Sequence, residues 1–212
     1  MARISDNAQV PEPTIQRLSI YLRCLRQAKR EGLKTLSSSG LQERSGVPAG
    51  QIRKDLSYFG DFGRPGIGYC VESTLERLSQ IMHLDRQRKV VIVGAGNLGA
   101  ALAGYQGLQN DNFRLVGVFD NNYSKIGRPL WHLQIQDITE LGDTVRREGV
   151  DIGIITTPAA PAQQVAEQMA QAGIKSILNF APTRILSPPS TVVRNVDLIK
   201  ELEVICYYLS KS

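Results

Sequence analysis

The sequence predicts an α/β protein in which a small helical module precedes a doubly wound parallel sheet. Three observations lead to this fold class. Excess positive charge is confined to the N-terminal residues 1–88, which we call the front module, and apolar residues recur there at helical spacing. From Lys89 onward, β-rich runs alternate with helical segments. Of the 212 residues 42% are hydrophobic and 21% are charged, which is ordinary for a globular protein.

The charge is unevenly distributed along the chain. Residues 1–88 hold 14 Lys and Arg against 9 Asp and Glu, whereas residues 89–212 hold 11 of each. Within residues 17–64 the count is 10 basic against 4 acidic residues. This asymmetry indicates a polyanionic partner for the front module. A solvated basic surface is the alternative that charge alone leaves open.

Three helices are predicted in the front module. The first has Thr14 as its N-cap and ends at Gly32, because apolar residues recur at three- and four-residue spacing at Ile15, Leu18, Leu22 and Leu25. A short second helix is predicted in "SSSGLQERSG", residues 37–46, and a third in "VPAGQIRKDLSYF", residues 47–59.

The third helix is amphipathic and basic. Ile52, Leu56 and Phe59 share one face, and the opposite face carries Gly50, Arg53, Lys54, Ser57 and Tyr58. The glycine-dense "GDFGRPGIGY" that follows predicts a hairpin with Arg64 near its tip. This order is typical of a winged helix-turn-helix. The predicted DNA contacts are Arg53, Lys54, Ser57, Tyr58 and Arg64.

A connecting helix, "VESTLERLSQIMHL", leads to a domain boundary near residue 86. Beyond it, apolar runs indicate parallel strands buried on both faces. The predicted strands are "KVVIV", "RLVGVF", "DIGIITT", "IKSILNF" and "TVVRNVD". Helices are predicted in "NLGAALAGYQGL", "AQQVAEQMAQAG" and the final "LIKELEVICYYLS". The predicted domains are therefore residues 1–86, 87–196 and a last helix at 197–212.

The segment "VVIVGAGNLGAAL" contains G-x-G-x-x-G between a strand and a helix, the context that a dinucleotide site requires. Gly94 permits the tight turn, Gly96 lets the backbone approach a pyrophosphate, and Gly99 lets the helix pack on the strand. The phosphates would meet free N–H groups at the start of the helix. These features predict a Rossmann-type domain.

Asp120 ends the second strand of this domain, 26 residues after Gly94. An acidic residue there accepts hydrogen bonds from the adenosine ribose and repels a 2′-phosphate, which favours NAD(H) over NADP(H). Lys125 and Arg128 are near in sequence and weaken that preference.

No catalytic constellation is visible. His83 and His132 fall in the connecting helix and in a loop-like stretch, so neither follows a strand at the carboxyl edge of the sheet. The dinucleotide is therefore predicted to be a signal. A small NAD-dependent oxidoreductase with a basic accessory domain is one alternative, and a regulator that senses thiol oxidation through Cys24 or Cys206 is another. The cysteine spacing predicts no metal site.

Membrane insertion and secretion are not expected from the sequence. No apolar run approaches the ~20 residues that span a bilayer, and "MARISDNAQVPEP" has no apolar core segment of a signal peptide. A cytoplasmic location is therefore expected.

The residues resemble the redox-sensing Rex repressors of bacteria. The resemblance is carried by "IRKDLSYFGDFGRPGIGY", "VGAGNLGAAL", "AGIKSILNFAP" and "NVDL", in one order from about Val10 to Leu209. It implies a homodimer whose last helix is domain-swapped onto the partner. It also implies binding to a pseudo-palindromic, A·T-rich operator and release by NADH, whereas NAD+ competes weakly or favours the DNA-bound form.

The same resemblance implies roles for individual residues. The glycine loop would hold the pyrophosphate and Asp120 the ribose, with Thr157, Pro158, Asn179 and Phe180 near the nicotinamide. Polar contacts would exchange between subunits through Arg23, Tyr105 and Asp197. The implied dinucleotide contacts are Gly94, Ala95, Gly96, Asn97, Leu98, Gly99, Tyr105, Asp120, Thr157, Pro158, Asn179 and Phe180. The sequence departs from the family at "NNYSKIG" and "WHLQIQ", which leaves the path of residues 121–137 open.

Overall fold

The computed structural model describes residues 10–64, 66–109 and 112–209. The chain divides into two compact units after Asp85, and the final helix falls in the second unit. The first unit runs in the order α1 (Glu12–Arg30), β1 (Thr35–Leu36), α2 (Ser38–Ser45), α3 (Ala49–Ser57), β2 (Gly63–Arg64), β3 (Gly68–Cys70) and α4 (Val71–Ile81).

The first unit is a winged helix-turn-helix, as predicted. Helices α2 and α3 are joined by a short turn at Gly46, whose φ of 71° ends α2. Strands β2 and β3 form the wing and are antiparallel, and β3 also pairs with β1. The core is made by one face of α1 packed against the other helices, and its fully buried side chains include Leu18, Tyr21, Leu25, Ile52 and Leu78.

The start of α1 differs from the prediction. The helix begins at Glu12 with Pro11 in the N-cap position, and Pro13 lies in its first turn, where the missing N–H costs no hydrogen bond. Thr14 is therefore inside the helix. Its buried hydroxyl donates to the Asp55 carboxylate at 3.2 Å instead of capping.

The second unit is a Rossmann-type sheet flanked by helices, as predicted. Its elements are β4 (Arg88–Val93), α5 (Asn97–Ala103), β5 (Phe113–Asp120), β6 (Pro129–Leu130), β7 (Leu133–Asp137), α6 (Leu141–Glu148), β8 (Ile152–Ile155), α7 (Ala159–Gln171), β9 (Ser176–Asn179), β10 (Val192–Asn195) and α8 (Leu198–Leu209). The strand order is β10-β9-β8-β4-β5-β7-β6, with only the β6–β7 pair antiparallel. The order reverses between β4 and β8, and ligands bind at such switch points.

Alternating residues of β4 serve the two faces of this sheet. Val91 and Val93 belong to the apolar cluster under α6 and α7, while Val90 and Ile92 belong to the cluster on the α5 side. All four side chains are at most 2% exposed. The near-continuous apolar run of β4 is thus explained by burial on both faces.

The structure supplies the path that the sequence left open. Residues 129–137 form the β6–β7 hairpin, and β7 extends the parallel sheet beyond β5. Helix α5 ends at Ala103, before the end of the predicted helix, and residues 106–108 form a separate 3-10 turn.

Helix α8 carries apolar side chains that the other described residues leave exposed. Leu202 is 56% exposed and Ile205 is 55% exposed. Across residues 10–64, 66–109 and 112–209, no helix combines the length and apolar character needed to cross a membrane.

Candidate functional site

The glycine loop joins β4 to α5 at the carboxyl edge of the sheet. Gly94 has a φ of +108°, and a side chain there would meet the Thr156 backbone at 2.8 Å. A Cβ on Gly99 would overlap the Gly94 carbonyl oxygen. A Cβ on Gly96 would meet nothing within 4 Å. Gly94 and Gly99 therefore serve the fold, whereas Gly96 leaves space open above the loop for a ligand.

Thr156, which the sequence analysis missed, fixes the shape of this loop. It follows β8, and its hydroxyl lies 2.7 Å from the Gly94 carbonyl oxygen and 3.2 Å from that of Val93. The Thr156 hydroxyl can thus donate a hydrogen bond that links the carboxyl end of β8 to the carboxyl end of β4 at the switch point. Its position directly after a buried strand is the signal that would have marked it as a loop residue of the site.

Asp120 ends β5 and is 8% exposed. Its carboxylate accepts hydrogen bonds from the Ala95 N–H at 2.8 Å, the Asn122 N–H at 2.9 Å and Lys125 Nζ at 3.0 Å. Burial opposes ionisation, but the donors at Asn122, Lys125 and Ala95 outweigh it and lower the pKa of Asp120. The ionised carboxylate therefore also positions the glycine loop.

A cavity of about 600 Å³ lies at the carboxyl ends of β4, β5 and β8. Seven of the predicted dinucleotide residues line it, namely Gly94, Gly96, Leu98, Asp120, Thr157, Pro158 and Phe180. The Thr157 hydroxyl is buried and has no hydrogen-bond partner within the described residues. This hydroxyl lies beside apolar lining residues at Pro158, Val165 and Phe180, which suits a ligand that combines a polar group with an apolar surface.

Five of the predicted contacts lie outside this lining. Asn97 is exposed at the start of α5, the Ala95 amide is used by Asp120, and Gly99 is buried in packing. Tyr105 is 62% exposed, beyond the end of α5. The fifth is Asn179, whose side chain is committed elsewhere.

The prediction that Asn179 contacts the dinucleotide differs from the geometry. The side chain is 1% exposed. Its amide donates to the Thr183 carbonyl and to Asn195 Oδ1, both at 2.8 Å, and its own oxygen accepts from the Ala181 N–H at 2.9 Å. Asn179 therefore braces the turn that brings Phe180 to the cavity.

The predicted subunit-coupling residues lie on separate elements. Arg23 is exposed on α1. Asp197 caps α8, because its Oδ1 accepts from the backbone N–H groups of Ile199 at 3.1 Å and Lys200 at 3.0 Å. The exchange of contacts among Arg23, Tyr105 and Asp197 between subunits stays a prediction.

In the first unit, the outer face of α3 carries exposed cationic side chains. Arg53, Lys54 and Ser57 are exposed, Tyr58 is half-buried at the end of the helix, and Arg64 is exposed at the end of β2. A groove of about 530 Å³ lies between α3 and the wing, and its lining includes Arg53, Ser57 and Arg64. The five predicted DNA contacts therefore belong to one helix and its adjoining wing.

The inner face of α3 is anchored to α1 through Asp55, which is fully buried. Its carboxylate accepts two hydrogen bonds from Arg17, at 2.6 and 2.7 Å. It also accepts bonds from Tyr21, Gln51 and Thr14, at 2.7, 2.7 and 3.2 Å. We call these five residues the Asp55 cluster. It fixes which face of α3 points outward.

The three cysteines form no disulfide with one another, and the metal-binding residue types form no cluster in the described part of the chain. Burial raises the pKa of the Cys24 thiol, which disfavours the reactive thiolate. Cys206 is exposed and free. Within residues 10–64, 66–109 and 112–209, no group of three or more His, Cys, Asp or Glu is arranged to hold a metal.

Two family models match the chain. The model described as "CoA binding domain" matches residues 85–183, and "Putative DNA-binding protein N-terminus" matches residues 9–57. Redox-sensing transcriptional repressor Rex of Carboxydothermus hydrogenoformans is 45% identical over 204 residues, which cover 96% of this chain and 98% of the relative. Redox-sensing transcriptional repressor Rex 1 of Thermotoga maritima is 42% identical over 200 residues, covering 94% and 95%.

Solved structures of a Rex-family repressor named RSP are similar over nearly the full length. RSP with β-NAD+ and operator DNA has a TM-score of 0.90 and 37% identity, covering 97% of this chain and 94% of that one. RSP with β-NADH has a TM-score of 0.84 and 36% identity, covering 97% and 96%. These matches confirm the predicted class of a regulator over that of an oxidoreductase. The chain belongs to the Rex family of redox-sensing transcriptional repressors.

Proposed function

We propose that this chain binds operator DNA as a homodimer and releases it when NADH binds, so that transcription follows the NADH/NAD+ ratio. One observation carries the proposal. The same chain contains a helix with an exposed basic face beside a groove, and a cavity over the glycine loop at the switch point of the sheet. Full-length similarity to RSP, solved with operator DNA and NAD+ and separately with NADH, supports it.

On the DNA side, we assign α3 to the major groove. Arg53 and Lys54 project from its exposed face, with Ser57 and Tyr58 one turn further on. A guanidinium bonds guanine O6 and N7 in a bidentate way. Arg64 on the wing suits a narrow A·T minor groove, where the potential is more negative. A two-fold dimer requires a pseudo-palindromic operator.

Arg53→Ala is expected to cost ~1–3 kcal/mol of operator binding, because it removes a charged contact at the centre of the recognition face. The measurement is fluorescence anisotropy with a duplex that carries an A·T-rich inverted repeat, at fixed salt. Arg146→Ala is the matched control, since Arg146 is an exposed arginine of the second unit paired with Asp143. Equal operator affinity for both variants would remove Arg53 from the DNA interface.

On the dinucleotide side, we assign the cavity to NAD(H). The ionised Asp120 suits ribose hydroxyls and repels a phosphate on the ribose, which disfavours NADP(H) and also CoA with its 3′-phosphate. Lys125 lies 3.0 Å from Asp120 and balances part of that charge. Gly96 leaves room for the pyrophosphate. Thr157 has a buried hydroxyl beside Pro158 and Phe180 with no hydrogen-bond partner in the described part of the chain. Bound here, NAD(H) supplies a nicotinamide whose charge and planarity depend on its redox state.

We assign Arg23, Tyr105 and Asp197 to the switch, by which we mean the polar contacts between subunits that change with the state of the dinucleotide. A ligand shifts a two-state dimer only through its different affinities for the two states, and NADH and NAD+ differ at the nicotinamide. We expect α8 to pack on the partner subunit, which suits its exposed apolar side chains. We keep residues 1–86, 87–196 and 197–212 as the functional divisions, and we expect a cytoplasmic location.

Asp197→Ala and Tyr105→Phe are expected to weaken NADH-driven release while operator affinity stays largely unchanged, because both groups act in the switch. Loss of the α8 cap complicates the first variant, since the Asp197 carboxylate accepts two backbone N–H groups. Asp197→Asn keeps a capping oxygen without the charge. Release assays on all three variants separate these effects. Normal release by Asp197→Asn and Tyr105→Phe would mean that the switch residues are assigned wrongly.

A further inference from the structure

The turn of the β6–β7 hairpin contains a bulky residue, Trp131, in a backbone conformation that favours glycine. Leu130 pairs with Leu133, so Trp131 and His132 form a two-residue turn. Trp131 has a φ of +57°. Glycine dominates such positions in two-residue hairpins, and a bulky residue with positive φ is an outlier. Trp131 is also 70% exposed, so burial offers little compensation.

The compensation is a specific contact with the end of α5. The indole Nε1–H of Trp131 donates to the Ala100 carbonyl at 3.2 Å. The ring also covers Gly104 so closely that a Cβ on Gly104 would overlap it. Gly104 has a φ of −87°, so this position requires glycine for space and not for conformation.

The other turn residue reaches the same stretch of chain further along. His132 Nε2 lies 3.5 Å from Gln109 Nε2, and Gln109 is tied to β5 through its bridge with Arg114. The hairpin turn therefore contacts the chain on both sides of Tyr105. Between these contacts, the Tyr105 ring lies over Gly107.

We infer that Trp131, assisted by His132, is a positioning residue for Tyr105 and thereby sets how strongly NADH binding is transmitted to DNA release. The inference rests on the proposed function of Tyr105. A glycine at position 131 would suit the turn better, so the hairpin alone does not explain the tryptophan. The tryptophan adds a hydrogen bond to the Ala100 carbonyl and packing of its ring on Gly104, and both residues precede Tyr105 within one or two helical turns.

Two variants remove the contact in opposite ways. Trp131→Gly relaxes the turn and deletes the indole, whereas Gly104→Ala keeps the indole and displaces it with a methyl group. Trp131 is the only tryptophan of the chain, so its fluorescence emission reports the displacement in Gly104→Ala directly. Tyr123→Ala is the matched control, because Tyr123 is an aromatic side chain of the same unit that is 87% exposed.

The readouts are the Kd for NADH, measured calorimetrically, and the NADH concentration that releases half of the operator. For Trp131→Gly and Gly104→Ala we expect an unchanged Kd and a release midpoint about 2- to 30-fold higher, the range for residues that modulate coupling. Operator affinity without NADH should match that of the wild type and of Tyr123→Ala.

The outcomes distinguish the inference from its premise. A wild-type protein that keeps its operator at saturating NADH would refute the proposed function itself. With a responsive wild type, release midpoints that match Tyr123→Ala in both variants would overturn the role of Trp131. Release midpoints that rise only in proportion to the Kd for NADH would also overturn this role. So would release midpoints that rise together with a loss of thermal stability, because Trp131 would then be a structural residue of the hairpin.

Discussion

Arg17→Met should destabilise the first unit by about 1.5–3 kcal/mol, because it removes the charged hydrogen bonds to a buried carboxylate. The cost stays below that of breaking a fully buried ion pair, because the Arg17 side chain is 25% exposed. Asp55 is fully buried, and Arg17 contributes two of its hydrogen bonds and its only counter-charge within the Asp55 cluster. Without Arg17, the carboxylate retains neutral donors alone. The measurement is hydrogen exchange of the amides of α1 and α3 in the full-length protein.

Lys29→Met is the control for this prediction. It removes another cation from α1, but Lys29 and Glu72 are 53% and 67% exposed, so their salt bridge contributes roughly 0–1 kcal/mol. An Arg17→Met protein with the exchange rates of Lys29→Met would show that the Asp55 cluster does not hold α3. Operator affinity should fall with Arg17→Met as well, because α3 carries Arg53 and Lys54.

The Asp55 cluster also predicts a pH dependence. Burial opposes the ionisation of Asp55, but hydrogen bonds from Arg17, Tyr21 and Gln51 outweigh it and lower its pKa to about 2, from the usual 3.8. A lowered pKa means that the stabilisation is present above the unfolded-state pKa and is lost as pH falls. The protection of α3 amides should therefore weaken between about pH 4 and pH 2.

Gly96→Val should abolish NADH binding while leaving the second unit folded. Gly96 has an ordinary φ of −79°, and a Cβ there meets nothing within 4 Å, so the unliganded fold accepts a side chain. The added isopropyl group would occupy the space above the loop where the pyrophosphate approaches the backbone. We expect operator binding to become insensitive to NADH, with a smaller drop in the midpoint of thermal unfolding than a substitution of Gly99 causes, because valine is a poorer N-cap of α5 than glycine but its Cβ meets no neighbour.

Gly99→Ala is the contrasting variant. Its Cβ would overlap the Gly94 carbonyl oxygen, so loss of NADH binding should come with lower thermal stability. Calorimetric NADH titrations and thermal unfolding of both variants make the comparison. A Gly96→Val protein that binds NADH as tightly as the wild type would show that the dinucleotide does not lie over this loop.

The sequence predicted features whose causes are local. The positive φ of Gly94 and the close approach of Gly99 to the Gly94 carbonyl oxygen arise within the loop itself, and Asp120 is marked by the end of its strand. The outward face of α3 followed from helical spacing, because Ile52 and Leu56 had to be buried.

Contacts that depend on distant partners could not be predicted from the sequence. Thr156 acts on Gly94 across the sheet, and Asn179 turns to Thr183 and Asn195 instead of the cavity. Thr14 was expected to cap α1, but it donates to a carboxylate 41 positions away. The β6–β7 hairpin was missed because β6 has two residues and carries no clear periodicity.

Under the proposed function, the redox state of the bound dinucleotide controls DNA binding by this chain. The most direct measurement is fluorescence anisotropy of a duplex with an A·T-rich inverted repeat, at fixed salt, titrated with NADH and separately with NAD+. We predict release by NADH at concentrations where NAD+ has little effect. Operator binding that is indifferent to both dinucleotides would contradict the claim, because the two units would then not be coupled.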